Sequence, residues 1–433
     1  MALLIQDILY LPMTGSHELK RGSIRVEGQR IVAIGDHIVP TWGDEIISGH
    51  DKCALPGFVN CHCHAAMSML RGYGEALPLG AWLAKVQPAE KALTAEDFFW
   101  GALLAQMEML KAGITCYADM YFDEAAAYWA MDESGIRAVL ADGLTDLCDK
   151  GEAALKATLQ WIDSTKDDLE GKISFAIAPH AVYSCSGPYL KEVAAAARSR
   201  DLPLHLHIAE TEKEQEDCLA ATGQRVLPYL DGLGVLTGKV LAAHMIHLKE
   251  EEFEITRERD IRIAHCPQSN MKLASGIFPY PEYQKRGVVV GLATDGPASN
   301  NDLDMLEEMR TASLLQKVAN GDPTLLKPYE ALHMATAGGA RALFLDDRIG
   351  TLEVGKKADI TLLSLRRPHF YPRNEKNSLL SHLAFCAKSG DVHTVIVNGK
   401  VRVRDGQCVD IDEGRVYHEI QQRAAQFWQR QRE

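Results

Sequence analysis

Two histidines one residue apart, in Asn60-Cys61-His62-Cys63-His64, are the first residues of the chain whose types and spacing could do chemistry. On an extended segment, side chains two apart share a face, so both imidazoles can converge on one ion while Cys61 and Cys63 point the other way. A thiolate zinc site needs cysteine pairs about two to four residues apart, repeated elsewhere, and the chain has no second pair. The histidines are therefore the expected ligands. Further along, His207-Ile208-Ala209-Glu210 lets His207 bind a metal while Glu210 reaches over a substrate as proton carrier. His205 shares the face of His207 and is expected one layer deeper in the interior. His244, in Ala242-Ala243-His244, reads either as a ligand or as a polarising group, and His247 and His265 stay outside the first set. Asp295, in Ala293-Thr294-Asp295-Gly296, ends the apolar run Val288–Leu292, and the next helix is expected only near Asn301 or Asp302. Too early to cap that helix, Asp295 is expected to serve as both ligand and base. Three imidazoles and one carboxylate with a coordination position left for water make a catalytic set, in which the ion lowers the pKa of that water towards about 7. The set suits Zn²⁺ and would accept Fe²⁺ or Mn²⁺.

For such scattered residues to meet, each must end an element that points at one place. Eight apolar runs read as strands: Gly57–His64, Ile114–Asp119, Ile136–Gly143, Ile173–His180, Pro203–Ala209, Lys239–His244, Ile261–Cys266 and Val288–Asp295. His62 and His64 close the first, His180 the fourth, His207 the fifth, His244 the sixth and Asp295 the eighth. Amphipathic segments separate most of them. The clearest is Thr94–Ala112, with Thr94 as N-cap, Asp97 three residues on and Gly113 just past its end. Alternating strands and helices predict an α/β chain with a (β/α)8 TIM barrel over residues 56–345, whose active site lies at the C-terminal strand ends. No Gly-x-Gly-x-x-Gly follows an early strand to support an open dinucleotide-binding sheet instead. Short strands at Ile5–Leu11, Ser23–Glu27 and Arg30–Ile34 precede this region. Asp359–Ser364, Val392–Val397 and Lys400–Val403 follow it, with Asn398-Gly399 as a two-residue hairpin turn and a last helix over Glu413–Arg430. Residues 1–55 and 346–433 are thus expected to form one small β-sandwich domain from both ends of the chain.

Bulk composition narrows the partners. The chain has 433 residues, with 46 Lys and Arg against 59 Asp and Glu for a net charge of −13, and no basic stretch tracks a phosphate backbone. Neither a secretory segment nor an apolar run of about 18 residues is visible, so no membrane span is expected. Ten scattered cysteines fit free thiols in a reducing, cytoplasmic setting.

At these motifs the chain resembles the amidohydrolase superfamily, through Pro56-Gly57-Phe58-Val59-Asn60-Cys61-His62-Cys63-His64 and Thr294-Asp295-Gly296. More narrowly it resembles the 5′-methylthioadenosine/S-adenosylhomocysteine deaminases, of the TRZ/ATZ hydrolase type. The stretches that carry this are His64–Gly72, Leu104–Met109, Asp119–Phe122 and Asp295–Asn301. The resemblance implies His62, His64, His207 and Asp295 as metal ligands, Glu210 as proton shuttle to the purine ring nitrogen, and His244 as the group that orients the attacking water. It also implies Glu90 on the ribose hydroxyls and His180 as a substrate contact. Without it, Glu90 would read as a solvated helix carboxylate. A purine nucleoside is then the expected partner, with no nucleic-acid polymer and no membrane, and a homo-oligomer compatible with the sequence. The expected reaction is hydrolytic deamination of the adenine ring.

One position departs from the pattern. Where relatives that accept S-adenosylhomocysteine carry an Arg after the third strand, this chain has Asp142, which would repel a substrate carboxylate. This leans the expectation towards 5′-methylthioadenosine, with Lys150 as a compensating cation. The rival readings are a guanine, pterin or triazine hydrolase on the same scaffold, and a two-metal cyclic-amide hydrolase. The latter predicts a Lys where His180 ends the fourth strand. A non-catalytic scaffold has no reason to keep four ligands and Glu210 together.

Overall fold

The computed structural model describes residues 2–147, 151–165, 169–374, 376 and 378–431, so Lys150 lies outside the described residues. The apolar runs become strands, mostly within a residue or two of the expected bounds. β1 (Ala2–Tyr10), β2 (Lys20–Glu27) and β3 (Arg30–Gly35) pair antiparallel in chain order. Two further strands were not expected from sequence: β4 (Glu45–Ser48) and β5 (Lys52–Pro56), both parallel to β1. At four and five residues they carry too little pattern to be told from a loop.

The middle of the chain supplies parallel strands. β6 (Phe58–Cys63), β7 (Ile114–Asp119), β8 (Arg137–Leu140) with its short continuation β9 (Gly143–Leu144), and β10 (Ile173–Phe175) with β11 (Ala178–Pro179) pair side by side. The third and fourth expected strands are therefore each broken in two. β12 (Leu204–Ile208), β13 (Val240–His244), β14 (Arg262–His265) and β15 (Val290–Leu292) form a second parallel set. Single parallel bridges, Ile177 to Leu204 and Cys63 to Asp295, connect the two sets. Small buried side chains, among them Val59, Cys116, Ala118, Val139, Ala178 and Ala264, make a cluster of their own along these strands. Gly57 is there because a Cβ would lie 2.1 Å from Thr115 Oγ1.

Between strands, the helix Ala95–Lys111 opens with the expected capping box: Thr94 accepts from the Asp97 amide and Asp97 from the Thr94 amide. The helix after Asp295 starts at Met305, capped by Asp304, later than expected and further from Asp295.

The C-terminal strands β16 (Ile360–Ser364), β17 (Val392–Val397), β18 (Lys400–Arg404) and β19 (Gln407–Cys408) turn antiparallel. Asn398 and Gly399 both have positive φ, +52° and +80°, as a tight hairpin turn requires. β5 is the seam, parallel to β1 on one edge and antiparallel to β16 on the other. Strands from both ends of the chain thereby join in a single nine-stranded sheet. Its core is branched and aliphatic: Ile5, Ile8, Ile24, Val26, Ile360, Leu362 and Ile396. A buried ion pair links it to the parallel strands, Arg137 on β8 gripping Asp359 through Nε at 2.7 Å and Nη2 at 3.1 Å. The last helix, Glu413–Arg430, packs on Ala95–Lys111. Among the described residues no helix is long and apolar enough to cross a membrane, and nine cysteines are free thiols.

Candidate active site

His62 and His64 lie at the end of β6, His207 in β12, His244 at the end of β13 and Asp295 just beyond β15, all at C-terminal strand ends. The backbone there is strained: Ala209 before Glu210, His244 and Asp295 have φ of +55°, +72° and +61°. Such conformations cost on the order of 1–3 kcal/mol each in non-glycine residues and cluster at functional sites.

The structure brings the paired imidazoles and His207 together. One ring nitrogen of each of His62, His64 and His207 lies within 4.8 Å of the others, and the ring centroids of His62 are 4.7 Å from His64 and 4.8 Å from His207. The far side of each ring explains why it points inward. His207 Nδ1 donates to the His180 carbonyl at 2.8 Å, and His64 Nδ1 to the Met120 carbonyl. A carbonyl only accepts, so in both rings Nδ1 carries a proton and Nε2 is the nitrogen left for the cluster. His62 Nδ1 lies 2.9 Å from His205 Nε2, which places His205 behind His62, one layer deeper, as expected. His62 Nε2 is buried with no hydrogen-bond partner among the described residues, although Asp295 Oδ1 is 3.4 Å away. Three convergent ring nitrogens, one of them orphaned, with a carboxylate alongside, could hold a divalent metal ion, and the residues present fit it. Cys61 and Cys63 are buried in apolar surroundings that push both thiols up, so neither competes as a thiolate.

Burial lowers His62 to about 4 and holds His207 well below the usual histidine range, so both are neutral at pH 7. For His64 burial works the same way, but Asp295 at 3.2 Å more than reverses it and raises the ring to about 9. Burial would raise Asp295 in turn, yet the His62 and His64 imidazoles beside it hold it well below the carboxylate range. A cation seated here takes the place of the His64 proton.

Above these groups opens a pocket of about 950 Å³, its mouth included. His64, Glu90, His180, His207, Glu210, His244 and Asp295 all line it. Trp82, Leu83, Tyr121, Phe122, Tyr183 and Leu273 form apolar and aromatic walls, the setting of a flat heterocycle. Glu90, at the end of the helix Leu79–Glu90, is not a solvated carboxylate: it is buried, which raises its carboxyl, and faces the pocket beside Tyr121. His180 holds Ser184 Oγ at 2.9 Å through Nδ1, leaving Nε2 for the pocket. Glu210 is raised by burial; its Oε1 accepts from Ser275 Oγ at 3.0 Å and its Oε2 lies 3.7 Å from His244 Nε2. His247 and His265 stay apart from this group. His247 pairs with Glu212 at 3.1 Å, and His265 stacks on Phe278 at 4.1 Å.

Asp142 does not line the pocket. Its carboxylate accepts from Thr158 Oγ1 at 2.6 Å and from the Glu124 amide at 3.3 Å, beside a neighbouring cleft. The expected repulsion of a substrate carboxylate therefore has no basis in its position. Sequence reasoning also passed over Ser269, Asn270 and Ser275, and only their place just after a strand ending in His265 could have drawn attention to them.

A family model, the amidohydrolase family, matches residues 53–402. The chain belongs to the amidohydrolase family. It is a hydrolase with a divalent-metal centre, and its fold is the amidohydrolase fold. Among its relatives, a 5-methylthioadenosine/S-adenosylhomocysteine deaminase of Pelotomaculum thermopropionicum is 44% identical over 99% of both chains. One of the same description from Desulforudis audaxviator is 45% identical over 98% of both. Of solved structures, an adenosine deaminase from Xanthomonas campestris with bound zinc superposes with a TM-score of 0.93, at 34% identity over 99% of this chain and 98% of that one. An atrazine chlorohydrolase from Arthrobacter aurescens in complex with zinc, at 23% identity and a TM-score of 0.91, shares the fold over 98% of this chain and 100% of its own.

Proposed function

We propose that the chain removes the exocyclic amino group from the adenine ring of 5′-methylthioadenosine or S-adenosylhomocysteine by hydrolysis, releasing ammonia and the inosine-type product. The observation that carries this reading is the convergence of one ring nitrogen each of His62, His64 and His207, with Asp295 alongside, at an aromatic-walled pocket that Glu210 and His244 also line. Relatives named for this activity, similar over nearly the whole of both chains, support the substrate class. We read the parallel strands as a closed (β/α)8 barrel over residues 56–345, with residues 1–55 and 346–433 as one composite β domain. The bridges Ile177–Leu204 and Cys63–Asp295 support closure.

His62, His64, His207 and Asp295 would hold the ion, for which Zn²⁺ is the best match to imidazole and carboxylate donors. Bound there, it would lower the pKa of a water and so supply the nucleophile at neutral pH. The rest falls to the chain's own residues. His244, its Nδ1 engaged by Asn270, turns an Nε2 lone pair towards the attacking water and orients it. Asp295 takes the water's proton and passes it to the departing ammonia. Glu210, whose carboxyl burial raises, delivers a proton to the ring nitrogen beside C6 as charge builds there and takes back the proton of the new C6 hydroxyl as ammonia leaves. Glu90 accepts from the ribose hydroxyls, and His180 meets the substrate through Nε2.

The test is a panel: 5′-methylthioadenosine, S-adenosylhomocysteine, adenosine, guanine, a pterin and a chlorotriazine, followed by ammonia or chloride release and loss of adenine absorbance. The two 5′-modified adenosines should turn over fastest, and chelation should abolish turnover until Zn²⁺ is restored. Preference for guanine, the pterin or the triazine, or full activity in chelator, would reject the reading.

A further inference from the structure

Three of the groups that handle protons are held by side chains from one nine-residue segment. After β14 the chain enters a short helix, Pro267–Lys272, and turns at Ala274–Gly276. From it, Ser269 Oγ donates to Asp295 Oδ2 at 2.6 Å, Asn270 Oδ1 accepts from His244 Nδ1 at 2.9 Å, and Ser275 Oγ donates to Glu210 Oε1 at 3.0 Å. All three side chains are buried, so water cannot stand in for a lost bond.

The segment is itself fixed at both ends. The Gln268 amide donates to Glu308 Oε2 at 3.1 Å, and the other oxygen of that buried carboxyl accepts from Asn300 Nδ2 at 2.5 Å, on the loop that follows Asp295. At the far end the Ser275 amide bonds the Asn270 carbonyl at 2.8 Å and the Ser275 carbonyl accepts from His247 Nε2 at 2.6 Å. Ser275 also sits between two left-handed residues, Ala274 at φ +53° and Gly276 at φ +141°. A Cβ on Gly276 would come within 2.9 Å of His247 Nε2, so the turn has no slack.

We infer that Ser269, Asn270 and Ser275 act as one positioning unit for Asp295, His244 and Glu210, and that Ser275 decides which Glu210 oxygen carries the transferred proton. With Oε1 occupied by the Ser275 hydroxyl, the acid proton resides on Oε2, the oxygen on the His244 side. In the transfer the Oε2–H bond breaks, the ring nitrogen's electron pair takes the proton, and the carboxylate left behind keeps the Ser275 O–H bond on Oε1. Ser275 touches neither the proposed ion nor the reacting atoms, so it is a positioning residue.

The inference rests on the deaminase reading, and its test separates the two. Steady-state kcat and KM for 5′-methylthioadenosine, with zinc content, are measured for the wild type and for Ser275→Ala, Ser275→Thr, Asn270→Ala and the Ser275→Ala/Asn270→Ala pair. Ser275→Ala should lower kcat about 10- to 100-fold, the scale of a misplaced reacting group, while KM moves less than about twofold and zinc stays bound. Ser275→Thr, which keeps the hydroxyl, should recover to within about threefold of wild type. The pair should lose less than the product of the singles, as members of one unit do. Should Ser275→Ala fail to fold, Ser275→Val against Ser275→Thr repeats the comparison at equal volume. An unchanged kcat in Ser275→Ala, a Thr variant as slow as the variant lacking the hydroxyl, or strictly multiplicative losses would overturn the inference alone. A wild type that turns over neither 5′-methylthioadenosine nor S-adenosylhomocysteine would overturn both.

Discussion

Glu210→Gln tests the proton path most directly. The side chain is 5% exposed, accepts from Ser275 at 3.0 Å and faces His244 at 3.7 Å. Glutamine has the same volume and keeps an oxygen for Ser275, so the packing and the ligand cluster should survive. What it lacks is an acidic proton for the ring nitrogen. General acid catalysis is worth about 10²- to 10⁴-fold, or about 2.7–5.4 kcal/mol of barrier. Because Glu210 is buried, the loss should fall in the upper part of that range, about 10³-fold or more in kcat. The assay is loss of adenine absorbance, with the ion counted by elemental analysis on the same preparation. A variant that holds its metal and loses turnover is the expected result. If it kept kcat within about tenfold of wild type, the role assigned to Glu210 would be wrong.

Two further predictions concern stability. Arg137→Met strands Asp359 in the interior between the parallel strands and the nine-stranded sheet, and should cost about 3–5 kcal/mol in urea unfolding. Arg137→Met/Asp359→Leu, which removes both charges, should regain most of it, and a silent single variant would contradict the geometry. Glu214, whose carboxylate accepts from the Glu210 amide at 2.8 Å, is raised by burial from 4.5 to about 8. A raised group binds its proton more tightly when folded, so its contribution is complete below the unfolded value near 4.5 and lost as pH climbs through about 8. Wild type should therefore lose stability relative to Glu214→Gln across that window, by up to about 1.4 kcal/mol per pH unit. Parallel stability curves for the two proteins would exclude it.

Much of the site was readable because its residues sit where a local pattern ends. A β-branched or apolar run needs only its own period to become a strand, and a polar residue terminating several such runs is conspicuous. His62, His64, His207, His244 and Asp295 were all visible in this way. Glu90 was not. A carboxylate on a helix with no neighbouring strand end looks like any solvated one, and only the packing of Leu79–Glu90 over the pocket buries it. Asp142 misled for the converse reason: its place in sequence suggested the substrate, but Thr158 and the Glu124 amide claim its oxygens.

What the amino-acid order determined by itself was local. The Thr94–Asp97 capping box, the Asn398-Gly399 turn and the strand ends all follow from sterics and hydrogen bonds within a few residues. The tertiary structure alone decided that β5 would be the seam joining both ends of the chain, that His205 would back His62, and that Ser269, Asn270 and Ser275 would reach three acceptor and donor groups from three other strand ends. A serine or a short apolar run has no preferred partner until distant segments exclude water around it. Burial then makes an unpaired polar group costly, and that cost selects the pairing.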